Sequence, residues 1–258
     1  MGEKSGQDIQ YVSEILSEAA VTLMMSGANT SRIIGNTQRI ASGLGYNADL
    51  FLSLSGLVLS VHNNETNETH TIVRAIPRVD VNFEIISEIS ILSWRTVHED
   101  MFPQEVYERL EEIKKIKRYP NSFLLPFVGL AGASLCRILG GTWFDFMIVF
   151  LAVVCGMLVR QQLAKREYNI FVTIAAASFS AVSVVNIFRL LTHLPHVAAF
   201  AACVLFLIPG IPLINSFIDI LEGYISQGIF RGVFGAMIVF VIALGLFLSL
   251  FVFGYGFY

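Results

Sequence analysis

Leu205–Glu222 reads LFLIPGIPLINSFIDILE, and the reading of this stretch decides what the chain is. Between His196 and Ile208 only the mildly polar Cys203 interrupts an apolar run of the kind that crosses a membrane. Pro209, Gly210 and Pro212 then arrive together where such a span would be deepest. Proline lacks an amide hydrogen and clashes with the preceding turn, and glycine has no side chain to shield the opened backbone. In hydrocarbon the freed peptide groups must be buried in protein or line a wet cavity. Secondary transporters build solute sites from helices interrupted in this way near the bilayer midplane. A proline kink packed against neighbouring helices is the alternative. Asn215 and Asp219 follow at i, i+4 and share a helical face. Two prolines flanking Gly-Ile, ahead of an amide and a carboxylate, favour the solute site.

Composition extends this reading to the whole chain. Of 258 residues 55% are hydrophobic and 14% charged, and Phe alone contributes 21. Mean hydropathy is +0.66. A soluble protein carries about 25% charge. Most ionisable residues precede Tyr119, so the expected domains are a polar part, 1–119, and a membrane part, 120–258. The net charge of −3 says little, because a bilayer separates its contributors. Cys136, Cys155 and Cys203 lie in apolar spans without metal-ligand spacing, so no metal or cofactor is expected. The N-terminus, MGEKSGQDIQYVSEIL, has neither the basic start nor the apolar core of a signal peptide.

In the polar part, Ile9–Met25 places apolar residues at helical spacing. SGANTS then stops it: Gly27 suits the left-handed position after a helix, and Asn29 or Thr30 can cap the next one, which ends at Gly43. Gly27–Arg32 therefore reads as a helix–turn–helix corner. The functional reading gives its free amides, with Asn29, Thr30 and Arg32, a small anion or an interdomain contact. In DLFLSLSGLVLSV the apolar parity flips at Gly56, which suggests a bulge within one strand. HNNETNET is a polar turn before a second strand, HTIVRAI. Asp80–His98 reads as a helix, and Pro103 opens another with acidic residues first and Lys114, Lys115, Lys117 and Arg118 last. The sum is a small α+β domain. His62, His70 and His98 share no catalytic or ligand spacing, and no phosphate loop, dinucleotide fingerprint or nucleophile elbow occurs. Neither an enzyme nor a nucleic-acid binder is expected.

The membrane part holds five apolar stretches: Ser122–Leu139, Trp143–Val159, Ile170–Leu191, Val197–Ile218 and Gly232–Tyr258. Each approaches or exceeds the roughly 17–25 residues of a spanning helix. Gly140–Gly141 links the first two in a tight hairpin. The basic residues before the first stretch, after the second (Arg160, Lys165, Arg166) and before the fifth (Arg231) fall on one side. The positive-inside rule puts that side, with the N-terminal domain, in the cytoplasm and the C-terminus outside. The fold class expected is thus an α-helical integral membrane protein of five transmembrane helices, one discontinuous, with an N-terminal cytosolic α+β domain.

Charges inside spans are costly and are functional candidates for that reason. Arg137 and Asp145 flank the Gly-Gly turn, as an ion pair, by snorkelling or in solute contact. Arg160, Gln161 and Gln162 close the second span as an anchor or a solute contact. Asn186 and Arg189 lie deeper in the third, where Arg189 could attract a carboxylate. His193 and His196 read as a wet loop, with proton sensing as the alternative. Asp219 is the candidate coupling carboxylate.

These residues carry a resemblance over nearly the full length to the threonine/serine exporter family: SGANTSRI at Ser26–Ile33, KRYP at Lys117–Pro120, CRILGGTWFDF at Cys136–Phe146, RQQLAKREYN at Arg160–Asn169 and IPGIPLINSFID at Ile208–Asp219. Their order and spacing together are specific. The resemblance implies a cytosolic domain ahead of about ten spans in two halves of opposite orientation. Many bacteria split these halves between a larger chain, which this one resembles, and a smaller five-span membrane partner. It also implies a bacterial inner-membrane location and export of threonine, serine or another small carboxylate-bearing metabolite, dicarboxylates included, driven by the proton motive force. The positions that match the family are Gly27, Asn29, Arg32, Arg137, Arg160, Gln161, Gln162, Pro209, Gly210, Pro212, Asn215 and Asp219. A hydrolase-like character has been suggested for the family's soluble domain; no catalytic constellation here supports it. The alternatives to an exporter half are a membrane-anchored metabolite hydrolase, or a regulatory subunit whose partner carries the solute.

Overall fold

The computed structural model describes residues 9–53, 55–76, 81–116 and 120–254. Expectations that fall on Asp80, Lys117, Arg118, Tyr119 and the last four residues lie outside it. The chain divides into two compact units. The first comprises Met1–Arg118 and Ile211–Gly232; the second comprises Tyr119–Gly210 and Val233–Tyr258. Ile211–Gly232, assigned from the sequence to the membrane part, thus packs with the N-terminal residues.

In the first unit α1 (Ile9–Met25) and α2 (Thr30–Gly43) precede a three-stranded antiparallel sheet of β1 (Tyr46–Leu52), β2 (Gly56–Asn63) and β3 (Thr69–Ala75), ordered β1-β2-β3. α3 (Phe83–His98) and α4 (Pro103–Lys114) follow. The helical spacing of α1 buries Val12, Ile15, Leu16, Ala19 and Leu23 completely. They meet the inward residues of β2, Leu57, Leu59 and Val61, in one core. Burying a side chain of this size is worth roughly 1.5–3 kcal/mol.

The bulge expected at Gly56 is instead a chain reversal. Leu52 pairs with Leu57, and the Ser53 amide donates to the Gly56 carbonyl at 2.8 Å. Reversing the chain across three residues changes the inward parity, which a bulge would also do. A Cβ on residue 56 would stand 2.9 Å from the Arg74 carbonyl oxygen of β3, so the paired strand requires glycine there. α3 begins at Asn82, whose Oδ1 accepts the amides of Glu84 and Ile85. At the foot of α4, Glu105 accepts the Phe102 amide at 2.7 Å. Lys114, at its other end, bridges Glu111 and Glu18.

The second unit is helical: α5 (Asn121–Ile138), α6 (Trp143–Lys165), α7 (Ile170–Thr192), α8 (Val197–Ala202) with a 3-10 turn at Leu205–Leu207, and the greater part of α10 (Ile225–Val252). α9 (Gly210–Leu221) starts at the junction and belongs almost wholly to the first unit. Val149, Val153, Ala177, Val182, Ala199 and Cys203 form the centre of the second core. Outward, α10 exposes Val233, Met237, Phe240, Leu244, Phe247 and Phe251, an apolar face suited to lipid. Among the described residues α6, α7 and α10 are each long and apolar enough to cross a bilayer. Val197–Leu207 with Gly210–Leu221 makes an interrupted fourth, while α5 is apolar but shorter, over Phe123–Ile138.

The interruption has a local cause. Pro209 offers no amide hydrogen, and the Gly210 amide turns back to the Ile208 carbonyl at 2.9 Å instead of continuing the helical ladder. The chain passes from the second unit to the first directly after it, between Gly210 and Ile211.

Candidate functional site

Three polar assemblies stand out, one in the first unit and two in the second. The first is built on the Gly27–Arg32 corner. Gly27 is left-handed at φ +83°, which ends α1, and Asn29 caps α2 by accepting the Arg32 amide through Oδ1. The first amide of α2, that of Thr30, points at Asp219 of α9. Thr30 donates its N–H to Asp219 Oδ1 at 2.8 Å and its hydroxyl to Oδ2 at 3.0 Å. Arg231 of α10 lies 3.0 Å from Oδ2 and also donates to the Ala28 carbonyl. Asn215, one turn before Asp219, donates to the Gly27 carbonyl at 2.9 Å. A carboxylate at a helix N-terminus is favoured by the free amides and by the helix dipole. The anion at this corner is therefore a side chain of the same chain. Asp219 is fully buried, accepts two hydrogen bonds from Thr30 and is ion-paired with Arg231. Arg32 presents its side chain to the surface.

The second assembly is a seam between α7 and α10. Ser178 donates to the Ile242 carbonyl at 2.8 Å, and Arg189 donates to the Phe253 carbonyl at 3.1 Å. Between them Ser183, Asn186 and Ser249 meet. The Ser183 hydroxyl hydrogen goes to the Phe179 carbonyl, so Ser249 donates to Ser183 and accepts the Asn186 amide at 3.1 Å. Asn186 is fully buried, and its Oδ1 has no partner. A buried acceptor left open costs about 1–3 kcal/mol, which a ligand donor would recover.

The third assembly lies where α5, α6, α7 and α8 come together. Arg137 donates to the Gly141 carbonyl and places its guanidinium 4.7 Å from the centre of the Trp143 ring. Asp145 pairs with His196 rather than with Arg137, at 2.5 Å from carboxylate Oδ1 to Nδ1. The wet loop expected at His196 is therefore a buried site, although His193 is exposed. Thr142 donates its amide and its hydroxyl to Asp145 Oδ2 at 2.7 and 2.8 Å, and Thr192 Oγ1 lies 2.7 Å from His196 Nε2.

Of the remaining candidates, Arg160 and Gln162 are exposed at the end of α6, and Gln161 is partly buried with its Nε2 unpartnered. Pro209 is buried, and Gly210 and Pro212 are partly so. The structure brings Asn29, Thr30, Asn215 and Asp219 together and places Asn186 and Arg189 on one seam. Sequence reasoning missed Arg231 as the partner of Asp219, and His196 as the partner of Asp145. The usable signal was that a charge within an apolar helix needs a counter-charge, and few are present.

A sequence model of the family described as "Putative threonine/serine exporter" (ThrE) matches residues 14–253. The chain belongs to the threonine/serine exporter family. Two relatives share 26% identity with it. One, from Klebsiella aerogenes, aligns over 98% of this chain and 97% of its own length. The other, from Escherichia coli strain K12, aligns over 94% and 95%. Each is named "Probable succinate transporter subunit YjjP". No solved structure matches this chain. For a threonine/serine exporter the apolar helices α6, α7 and α10 are the expected material, and membership makes this a multi-pass membrane protein of transport.

Proposed function

We propose that this chain is one half of a proton-motive-force-driven exporter of a small carboxylate-bearing metabolite, threonine, serine or a dicarboxylate. The observation that carries the proposal is the family match across residues 14–253, joined by full-length relatives named as succinate transporter subunits. The α7–α10 seam supports it: the open acceptor of Asn186 lies one turn from the guanidinium of Arg189, on neighbouring apolar helices. A carboxylate is suited to Arg189, and an ammonium, hydroxyl or protonated carboxyl group to Asn186.

In this reading α5 is the first of five spans, the interrupted α8–α9 the fourth and α10 the fifth. The chain lies in a bacterial inner membrane with residues 1–119 as the cytosolic domain and the C-terminus outside. The partner is a smaller membrane chain of the same family that supplies the inverted half. The soluble domain acts as part of the carrier rather than as an enzyme. The test is co-reconstitution of both chains in vesicles loaded with labelled succinate, threonine or serine. An imposed proton gradient is expected to drive release of at least one of them only when both chains are present. Release by the smaller chain alone, or none from the pair, would refute the proposal.

A further inference from the structure

We propose that the Asp145–His196 pair is the proton-binding site of this chain; the inference rests on the exporter reading and names where its coupling ion is held. Hydrogen positions follow from the donors present. The Thr192 hydroxyl has one hydrogen, and it goes to the Phe188 carbonyl at 2.8 Å. Toward His196 Nε2, 2.7 Å away, Thr192 therefore presents a lone pair. On the other side Nδ1 faces Asp145 Oδ1 at 2.5 Å. An ionised carboxylate only accepts, and this one already takes two donations from Thr142 on Oδ2. With the Thr192 hydroxyl turned to Phe188 both ring nitrogens face acceptors, an arrangement that suits the ring carrying two hydrogens.

Removing one hydrogen sets an acceptor against an acceptor. The hydroxyl of Thr192 relieves it by turning from the Phe188 carbonyl to Nε2. Proton occupancy is thereby read at Thr192 in the last turn of α7, three residues after Arg189 and six after Asn186. It is also read as charge: with the proton the pair is neutral as a whole, and without it a carboxylate stays buried and uncompensated. The two side chains are only 4% and 8% exposed.

Among the described residues of the second unit no other carboxylate is buried. Its acidic residues are Asp145 and Glu167, and Glu167 is exposed in the turn between α6 and α7. The ionisable neighbour of the pair is Cys136 of α5, beside which Arg137 lies; Phe144 of α6 flanks the ring at 5.8 Å, and α8 brings no charge. Asp219, in the first unit, accepts two hydrogen bonds from Thr30 and is paired with Arg231, whose charge is permanent.

The test uses the full chain with its partner in vesicles, and the variants H196Q and D145N. Proton-gradient-driven transport of succinate, threonine or serine is expected to be lost, with solute-for-solute exchange at equal pH retained. Driven transport that survives in either variant overturns the proposal. An independent measurement is the nitrogen NMR spectrum of the histidine-labelled chain, with H196Q assigning the signal. His196 is expected to pass from the two-hydrogen to the one-hydrogen form as the pH is raised, with a midpoint moved by added solute. A signal in one state throughout, or a midpoint unmoved by solute that is carried, overturns it. If wild-type vesicles carry none of the three solutes the exporter reading falls, and the spectrum still judges the pair: a change of state upholds proton binding and its absence refutes it. If H196Q fails to insert, H62Q, H70Q, H98Q and H193Q assign the signals of the other four histidines, and the remaining signal of the unaltered chain decides the matter.

Discussion

Replacing Asp219 by alanine should loosen the corner between α1 and α2, and the size of the effect follows from its partners. Asp219 is fully buried and holds the Thr30 amide at 2.8 Å, the Thr30 hydroxyl at 3.0 Å and Arg231 at 3.0 Å. The variant leaves the first amide of α2 without its acceptor and a largely buried guanidinium, 19% exposed, without its counter-charge. Breaking one side of a buried pair costs about 3–5 kcal/mol, and the Thr30 bonds are not additive with it because they share the same carboxylate. At about 2–4 °C per kcal/mol the first unit should melt about 6–20 °C lower. Trp94 reports this transition, since the Arg39 guanidinium of α2 lies 4.0 Å over its ring on α3. Its fluorescence is read in a background where Trp143, the other tryptophan, is replaced by phenylalanine. The double variant D219L/R231L should recover much of the loss, because removing both charges leaves neither stranded. A melt of D219A within about 2 °C of the parent, or a double variant that falls further than D219A, would refute the account of this corner.

Three further outcomes are expected. N186A should lower solute efflux from vesicles while changing the melt by no more than the roughly 1 kcal/mol of its bond to Ser249; unchanged efflux would remove Asn186 from the solute path. G245A should destabilise the α7–α10 pair, because the added Cβ would stand 2.5 Å from the Ala175 carbonyl oxygen; an unshifted melt in detergent would show that the seam yields. P209A combined with G210L should restore a continuous helix and abolish export with insertion intact. A Cβ added at Gly210 meets no atom within 4 Å, so P209A with G210A is the matched variant in which a loss of efflux reports the break and not a clash.

What the sequence made legible was local. Gly27 and Asn29 act within a few residues of themselves, and the left-handed turn and the cap appear where they were expected. Pro103 opens α4 for the same reason. The parity flip at Gly56 was visible but ambiguous, because a bulge and a three-residue reversal change the inward set alike; only the pairing of Leu52 with Leu57 separates them. The partners of buried charges left no local trace. Thr30 and Asp219 are 189 residues apart, and Asp145 and His196 are 51 apart. Helical periodicity says which face a residue occupies, not which distant face it meets. The assignment of Ile211–Gly232 to the membrane part followed its hydropathy, which Ile214, Phe217 and Leu221 dominate. Those three remain exposed, while Asn215 and Asp219 of α9 bind the N-terminal corner.

The two buried carboxylates differ in what their partners permit. Asp219 sits against an arginine, whose delocalised charge persists at every working pH, and against two donors fixed by the start of α2. Such a pair holds geometry, because its counter-charge does not change through the neutral range. Asp145 sits against a histidine, whose charge changes in that range, and Thr192 can follow the change by turning one hydroxyl. Exchanging the partners tests that division: R231H should make the melt of the first unit depend on pH, with the corner weakening as pH rises and the introduced histidine loses its charge. A melt of R231H that stays flat between about pH 6 and 8, the span over which histidine changes charge, would mean that Asp219 needs no permanent counter-charge.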